Sequence, residues 1–249
     1  MIPAAMTAAP RGGDMQDRCL RSALVAGFRD LTVYCEPGTS LPAWVRESLP
    51  TVTHAERMGQ WRNWLFALEA TLTTRPRAPY LCTLEDDVLF CRGVMDWLES
   101  EPWPSPACGC LQLYTSAFYE GYPPGRRSRL ADEHALDLLG ACAMVFSRTA
   151  AECLVEWGRS HGWRGHVYEA VAAAQTDPAE KEGADTYVGE VLTFRGFEIW
   201  IHNPSLAEHI GDDSTLNHQG TMPRRRGLRF PGEDANARAL FTKETACAS

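Results

Sequence analysis

The apolar run Tyr80-Leu81-Cys82-Thr83-Leu84 ends in three consecutive carboxylates, Glu85-Asp86-Asp87. Gathered at one strand tip they repel one another, by about 4 kcal/mol for a pair about 4 Å apart at an effective dielectric near 20. A divalent cation removes that cost, and a set of hard oxygen ligands suits Mg²⁺ or Mn²⁺, not zinc. A solvated acidic turn between a strand and a helix is the alternative. The second segment with chemistry in it is Asn203-Pro204-Ser205-Leu206-Ala207-Glu208-His209-Ile210-Gly211, directly after a short strand that ends at His202. A neutral His209 there completes the coordination of an ion held mainly by Asp87, and a core or capping histidine is the plainer reading.

The elements that must position these groups follow from periodicity and turn chemistry. A first strand over 2–9 runs into the loop Pro10-Arg11-Gly12-Gly13, and a helix over 14–26 carries Met15, Cys19, Leu20, Ala23 and Leu24 inward and stops at Gly27. A strand is expected over 31–35 and a helix over 59–73, with Trp61, Trp64, Leu65, Leu68 and Leu72 on one buried face. The acidic triplet then closes a strand over 80–84. Next come a helix over 93–100, a Pro-broken loop over 102–106, a strand over 108–114, a surface loop over 119–132 and an apolar run over 138–146. A helix over 148–157, an undecided stretch over 162–183, a helix over 185–194 and a short strand over 198–202 complete the pattern, which fades after Leu216. Strands alternating with helices imply a mainly parallel sheet covered on both faces, with ligands at the C-terminal ends of its strands. Pro10-Arg11 and the acidic triplet both fall at such ends.

Composition narrows the partners. The 249 residues suffice for one domain with a sizeable core, and 45% hydrophobic with 22% charged residues is ordinary globular chemistry, not disorder. A net charge of -8 supplies no field for a polyanion, so nucleic acid is not an expected partner. The nine cysteines are scattered, and Cys108 and Cys110 alternate within an apolar run as strand positions do, so they read as reduced thiols of a cytoplasmic protein. The first ten residues lack a basic signal region and no run of 18 apolar residues occurs, so neither secretion nor a membrane span is expected.

Taken together, the Pro-Arg loop after a short first strand at 5–11, the apolar strand ending in E-D-D at 80–87 and the late P-S-L-x-x-H-x-G-x-x-S-T segment at 204–215 resemble the bacterial glycosyltransferases of GT-A fold. The resemblance spans roughly residues 2–217; its one departure, a first strand that begins almost at Met1, reads as a clipped or unusually tight start. It implies a single α/β domain over 1–217 of GT-A type, a Rossmann-like, mainly parallel sheet flanked by helices, with 218–249 as an extension serving as mobile lid and tail. It implies a nucleoside diphosphate sugar as donor, taken here as a UDP-sugar, and Mn²⁺ or Mg²⁺ as cofactor. The acceptor is a hydroxyl of a saccharide, a lipid-linked saccharide or another glycoconjugate. Asp87 becomes the principal metal ligand and His209 a second, with Glu85 and Asp86 on ribose or sugar hydroxyls. Pro10 and Arg11 line the nucleobase and ribose, and Asn63 reads the base unless it is a solvent-facing helix residue. Asp185 stands where these enzymes keep the base of an inverting transfer, at a helix N-terminus that favours its ionised form; Glu182 is the substitute and a plain N-cap the alternative. Arg224, Arg225 and Arg226 would close over the diphosphate.

Two other readings stay open. A sugar nucleotidyltransferase shares the sheet and the metal, but expects a Gly-rich phosphate loop that residues 8–13 fit poorly. A non-catalytic donor-binding or scaffold module shares the fold, but the acidic triplet, His209 and Asp185 are all intact. A phosphohydrolase with an aspartate nucleophile on the first strand is set aside, because residues 1–13 contain no acid.

Overall fold

The computed structural model describes residues 1–11, 13–162, 183–211 and 226–241. Strand β1 (Ala4–Ala8) leads through Pro10-Arg11 to helix α1 (Gly13–Val25), followed by β2 (Leu31–Cys35), α2 (Ala43–Ser48), β3 (Thr51–Thr53) and α3 (Gln60–Thr74). Next come β4 (Tyr80–Glu85), β5 (Val88–Phe90), α4 (Val94–Ser100), β6 (Cys108–Gln112), β7 (Arg126–Arg129), α5 (Asp132–Leu136) and β8 (Ala143–Ser147). The chain goes on through α6 (Arg148–His161), α7 (Ala184–Phe194), β9 (Glu198–Asn203), β10 (Ala207–His209) and α8 (Ala237–Phe241).

Among the described residues eight strands make one sheet in the order β3-β2-β1-β4-β8-β6-β9-β7, and β5 with β10 form a separate two-stranded ribbon. Strands β3, β2, β1 and β4 are mutually parallel, as are β6 and β9, while β8 and the edge strand β7 run against their neighbours. This is the mainly parallel α/β sheet flanked by helices that the sequence led us to expect. Successive strand residues face opposite sides, so one strand feeds two cores. Cys82 and Leu84 of β4, with Ala143 and Val145 of β8, pack on the face covered by α1 and α4. Leu81, Met144 and Phe146 pack on the other, against α3, α6 and α7. Trp61 and Trp64 lie in that second core, where Trp64 Nε1 donates to Thr83 Oγ1 at 3.0 Å. The registers Thr7↔Glu85 and Ala8↔Cys35 bring the ends of β1, β2 and β4 level, which sets the Pro10-Arg11 loop beside the acidic triplet.

Three expectations need correction. The stretch 119–132 is not all surface loop: Tyr119 is buried, and Arg126-Arg127-Ser128-Arg129 pairs with β9 as an edge strand. Its arginines hid it, because an edge needs no apolar alternation and charge there discourages pairing with other chains. The run 138–146 is a turn followed by a strand that starts only at Ala143. Beyond 216, the described part of the extension is packed into the fold and is no free tail. Ala117 N donates to Arg226 O at 2.9 Å, Leu228 N to Thr115 O at 2.7 Å and Ser205 N to Leu228 O at 2.8 Å, and Phe241 stacks on Trp97. The boundary expected at 217 and most of the undecided stretch 162–183 lie outside the described residues.

His202, at the end of β9, anchors the segment that leads to His209. Its ring is fully buried, with Nδ1 donating to Gln112 O at 2.9 Å and Nε2 accepting from Trp97 Nε1 at 3.3 Å. Burial pulls its pKa down to about 4. An unfolded histidine near 6.5 takes up its proton first on acidification, so the stability from keeping His202 neutral is complete above pH 6.5 and is lost as pH falls through 4. Over that window the loss amounts to about 3 kcal/mol for the shift to about 4. His202→Gln is accordingly expected to be less stable than the parent at pH 7.5, with the deficit shrinking by about that amount between pH 6.5 and 4 in urea unfolding.

Candidate active site

Strand β4 delivers Glu85 at its tip, the chain reverses at Asp86-Asp87, and β5 returns to pair antiparallel with β10 in the register His209↔Val88. Ile210 N donates to Asp87 O at 2.9 Å, extending that ladder to the acidic turn itself. Residues far apart in sequence are thereby brought together, with His209 Nε2 3.1 Å from Asp87 Oδ2. Gly211 comes next, and a Cβ there would strike Asp87 Oδ2 and crowd the Arg11 guanidinium, so the close approach itself requires glycine.

The reading of a solvated acidic turn is overturned, since Asp86 and Asp87 are each only 2% exposed. Their compensation comes from the Pro-Arg loop and two glutamines. Arg11 sets Nε 3.0 Å from Asp86 Oδ1 and Nη1 2.8 Å from Asp87 Oδ2. Gln16 of α1 donates to Asp86 Oδ2 at 2.7 Å and to Ala9 O at 2.8 Å, and Ala9 N donates to the same carboxylate oxygen at 3.1 Å. Gln60 of α3 donates to Glu85 Oε1 at 2.7 Å. Burial, and then the charge of Asp87, push the Glu85 carboxyl up to about 7. Burial lifts Asp86 to about 6 against the pull of Arg11. Burial would lift Asp87 as well, but the His209 hydrogen bond and the charges of His209 and Arg11 outweigh it and hold this carboxyl low. His209 is raised in turn, its burial overcome by Asp87.

This donor set fits a divalent cation. Asp87 Oδ1 is buried and has no hydrogen-bond partner among the described residues, an acceptor left over in a place where a neutral fold would have satisfied it. Glu85, Cys142 and His209 present ligand atoms that all lie within 4.8 Å of one another. Three carboxylates thus face one permanent cation, Arg11, and one titratable base, His209.

The remaining expected residues are placed as follows. Asp185 sits in the first turn of α7 and is not its N-cap, which is Gly183; its Oδ2 accepts from Gly140 N at 2.8 Å. That bond ties it to the 139–142 turn, and its charge, like those of Glu85 and Asp87, bears on the Cys142 thiol. Pro10 is exposed. Asn63 does not face solvent: it is buried, with Oδ1 taking His54 Nε2 at 3.0 Å and Nδ2 donating to Tyr34 O at 3.2 Å. Its amide props His54 and the end of β2, so it is occupied within the fold. Arg226 reaches the ribbon, donating to His209 O at 3.2 Å, whereas Arg224, Arg225 and Glu182 lie outside the described residues. Sequence reasoning passed over Gln16, Gln60, Cys142 and Glu36. Gln16 carried a signal, a polar residue four positions before Leu20 on a buried helix face. Glu36, at the end of β2, is buried with Oε2 accepting from Met58 N at 2.9 Å and Oε1 unpartnered among the described residues.

The sequence matches no protein-family profile and no curated protein. Among solved structures, the chain is similar to a mannosyltransferase from Pyrobaculum calidifontis in complex with GDP-Man and Mn²⁺, with 19% identity, a TM-score of 0.48 and coverage of 83% of this chain and 56% of that one. It is also similar to a mannose-1-phosphate geranyltransferase from Thermus thermophilus, with 12% identity, a TM-score of 0.46 and coverage of 85% of this chain and 77% of that one. The chain thus spans little more than half the length of the mannosyltransferase. At such distances the chemistry rests on the acidic turn itself. Among the described residues no helix is long and apolar enough to cross a membrane.

Arg11 and a divalent cation would answer the same carboxylates, which gives a direct check. Arg11→Met strips the buried aspartates of their permanent counter-charge and is expected to cost about 3 kcal/mol or more in chelator. Millimolar Mn²⁺ should then raise the melting temperature of the variant by more than it raises that of the parent, in a thermal-shift series with and without EDTA.

Proposed function

We propose that this chain is a divalent-metal-dependent glycosyltransferase that takes a sugar from a nucleoside diphosphate donor, a UDP-sugar, and passes it to a hydroxyl acceptor. The observation that carries the reading is the Glu85-Asp86-Asp87 turn at the C-terminal end of β4, with both aspartates buried, closed by His209 and holding an Asp87 oxygen that has no partner among the described residues. Ligands of parallel α/β sheets gather at such strand ends. Asp87 and His209 would hold Mn²⁺ or Mg²⁺, with Glu85 beside them. Bound there, the ion supplies Lewis-acid neutralisation of the charge that develops on a departing nucleoside diphosphate.

The chain's own residues would do the rest. Asp86, with both oxygens engaged by Arg11, Gln16 and Ala9, fixes the turn and not a ligand. Glu36, whose N donates to Ala8 O at the end of β1, would offer to a ribose hydroxyl its Oε1, which has no partner among the described residues. Asp185 would accept the proton of the acceptor hydroxyl as it attacks, in an inverting transfer. Gly140 N donates to Asp185 Oδ2 at 2.8 Å and Thr186 N to its Oδ1 at 2.9 Å, which fixes the carboxylate's direction. Arg226, already at the ribbon, would meet phosphate oxygens from the extension.

The test is a calorimetric titration of UDP, with GDP in parallel, with and without Mn²⁺. Binding that needs Mn²⁺ in the parent and loses that dependence in Asp87→Ala is the expected result. No nucleotide binding by the folded parent under either condition would remove the reading. Release of UDP from a UDP-sugar then separates turnover from binding alone, and release of pyrophosphate from a nucleoside triphosphate would mark a nucleotidyltransferase instead. Asp185→Asn is expected to cut turnover by about 10²-fold or more while leaving UDP affinity within about twofold.

A further inference from the structure

Cys142 has no part in a hard-cation site, yet it stands inside this one. The β4–β8 ladder continues past Leu84↔Ala143, with Glu85 N donating to Cys142 O at 2.9 Å, so the two side chains emerge next to each other at the strand end. His209 arrives from the other side on β10, and one ligand atom each from Glu85, Cys142 and His209 lies within 4.8 Å of the others. The neighbouring groups of a tetrahedral thiolate, imidazole and carboxylate site stand about 3.3–3.8 Å apart, given bonds of about 2.0–2.3 Å, so small side-chain rotations close the set. Asp87 Oδ2, 3.1 Å from His209 Nε2, lies against this group. Asp87 Oδ1, buried and without a partner among the described residues, points independently to a cation at this place. Among the described residues this is where a cysteine joins a histidine and a carboxylate in such a group; the other described cysteines lie elsewhere, buried or half-buried.

We infer that Glu85, Cys142, His209 and Asp87 form a thiolate-bearing site that takes a borderline-soft divalent ion of the Zn²⁺ class in competition with the hard cation. Sulfur and imidazole favour zinc, and the order of affinities across the divalent metals favours it over Mn²⁺ at any mixed N/O/S site. Occupancy forms a metal–sulfur bond and releases the thiol proton to the buffer, with no change of oxidation state. Because His209 and Asp87 are shared, zinc and Mn²⁺ exclude one another, and zinc inhibits whatever chemistry Mn²⁺ supports. The inference needs no nucleotide sugar and stands or falls apart from the donor reading.

Co²⁺ serves as the spectroscopic stand-in for zinc. Added to the metal-free parent, it should produce a near-ultraviolet thiolate-to-cobalt charge-transfer band that equimolar Zn²⁺ erases. Cys142→Ser should lose the band and about tenfold or more in Zn²⁺ affinity, while Mn²⁺ affinity read by electron paramagnetic resonance changes less than about twofold. A folded parent without the band overturns the inference, and so does a band that persists in Cys142→Ser, since another cysteine would then be the ligand. If Cys142→Ser does not fold, the parent alone decides: Zn²⁺ at equimolar concentration must release bound Mn²⁺, and failure to do so refutes the shared site. A cobalt band in a protein that binds no UDP or GDP would support this inference and count against the donor reading.

Discussion

The constraint on which this structure turns is electrostatic. Two adjacent aspartates are driven out of solvent at the end of β4 with a glutamate beside them, and an ion buried without compensation costs several kcal/mol. The fold answers with one guanidinium and two amide side chains, each from a different element: Arg11 from the loop after β1, Gln16 from α1 and Gln60 from α3. Neutralisation is incomplete by construction. Asp86 is fully engaged, whereas Asp87 keeps an oxygen with no hydrogen bond among the described residues and Glu85 is pushed up to about 7 by burial and by Asp87. That incomplete neutralisation is what the proposed cation would answer.

Topology explains how the charges are gathered. The parallel order β2-β1-β4 levels three strand ends, and the reversal at Asp86-Asp87 turns the next segment, β5, away from the main sheet. β5 would expose unpaired backbone groups, and β10 covers them; the ribbon register that satisfies those groups also puts His209 on Asp87. The meeting of His209 with Asp87 is thus fixed by backbone hydrogen bonds and not by loop conformation. The same economy appears at Gly211, where the absence of a side chain is what allows Asp87 and Arg11 to approach the returning chain.

Much of this was legible in the sequence because it follows from local period and turn chemistry. The strands at 31–35 and 80–84, the α3 face and the start of α7 near Asp185 all sit where periodicity puts them. The acidic triplet and His209 were legible as types at strand ends. What could not be read was pairing across distance. Nothing local says that β5 will leave the sheet, that four residues with three arginines will be an edge strand, or that Arg11 will turn to the carboxylates. Asn63 shows the same limit from the other side: its polarity on a helix face was visible, but its burial against His54 and Tyr34 depends on where β2 and β3 end. Cys142 was invisible for a further reason, since its meaning comes only from the antiparallel register that sets it beside Glu85.

That register also links the two chemistries assigned to this pocket. The turn over 139–142 is held from three sides: Gln112 Nε2 donates to Gly140 O at 3.1 Å, Leu139 N donates to Tyr119 OH at 3.1 Å and Gly140 N donates to Asp185 at 2.8 Å. Cys142 leaves this turn toward Glu85, and Asp185 enters it from α7. Gly140, whose φ of 87° lies in the left-handed region and whose missing side chain admits the Tyr114 ring, is the hinge of the arrangement. The position of the carboxylate proposed as base is therefore mechanically tied to the strand end where the proposed cation site lies. A change in what occupies Glu85 and Cys142 would be felt at Asp185 through two residues of backbone. The metal ligand and the proton acceptor proposed here share one turn, so substitutions at Gly140 or Gln112 should disturb both together and neither alone.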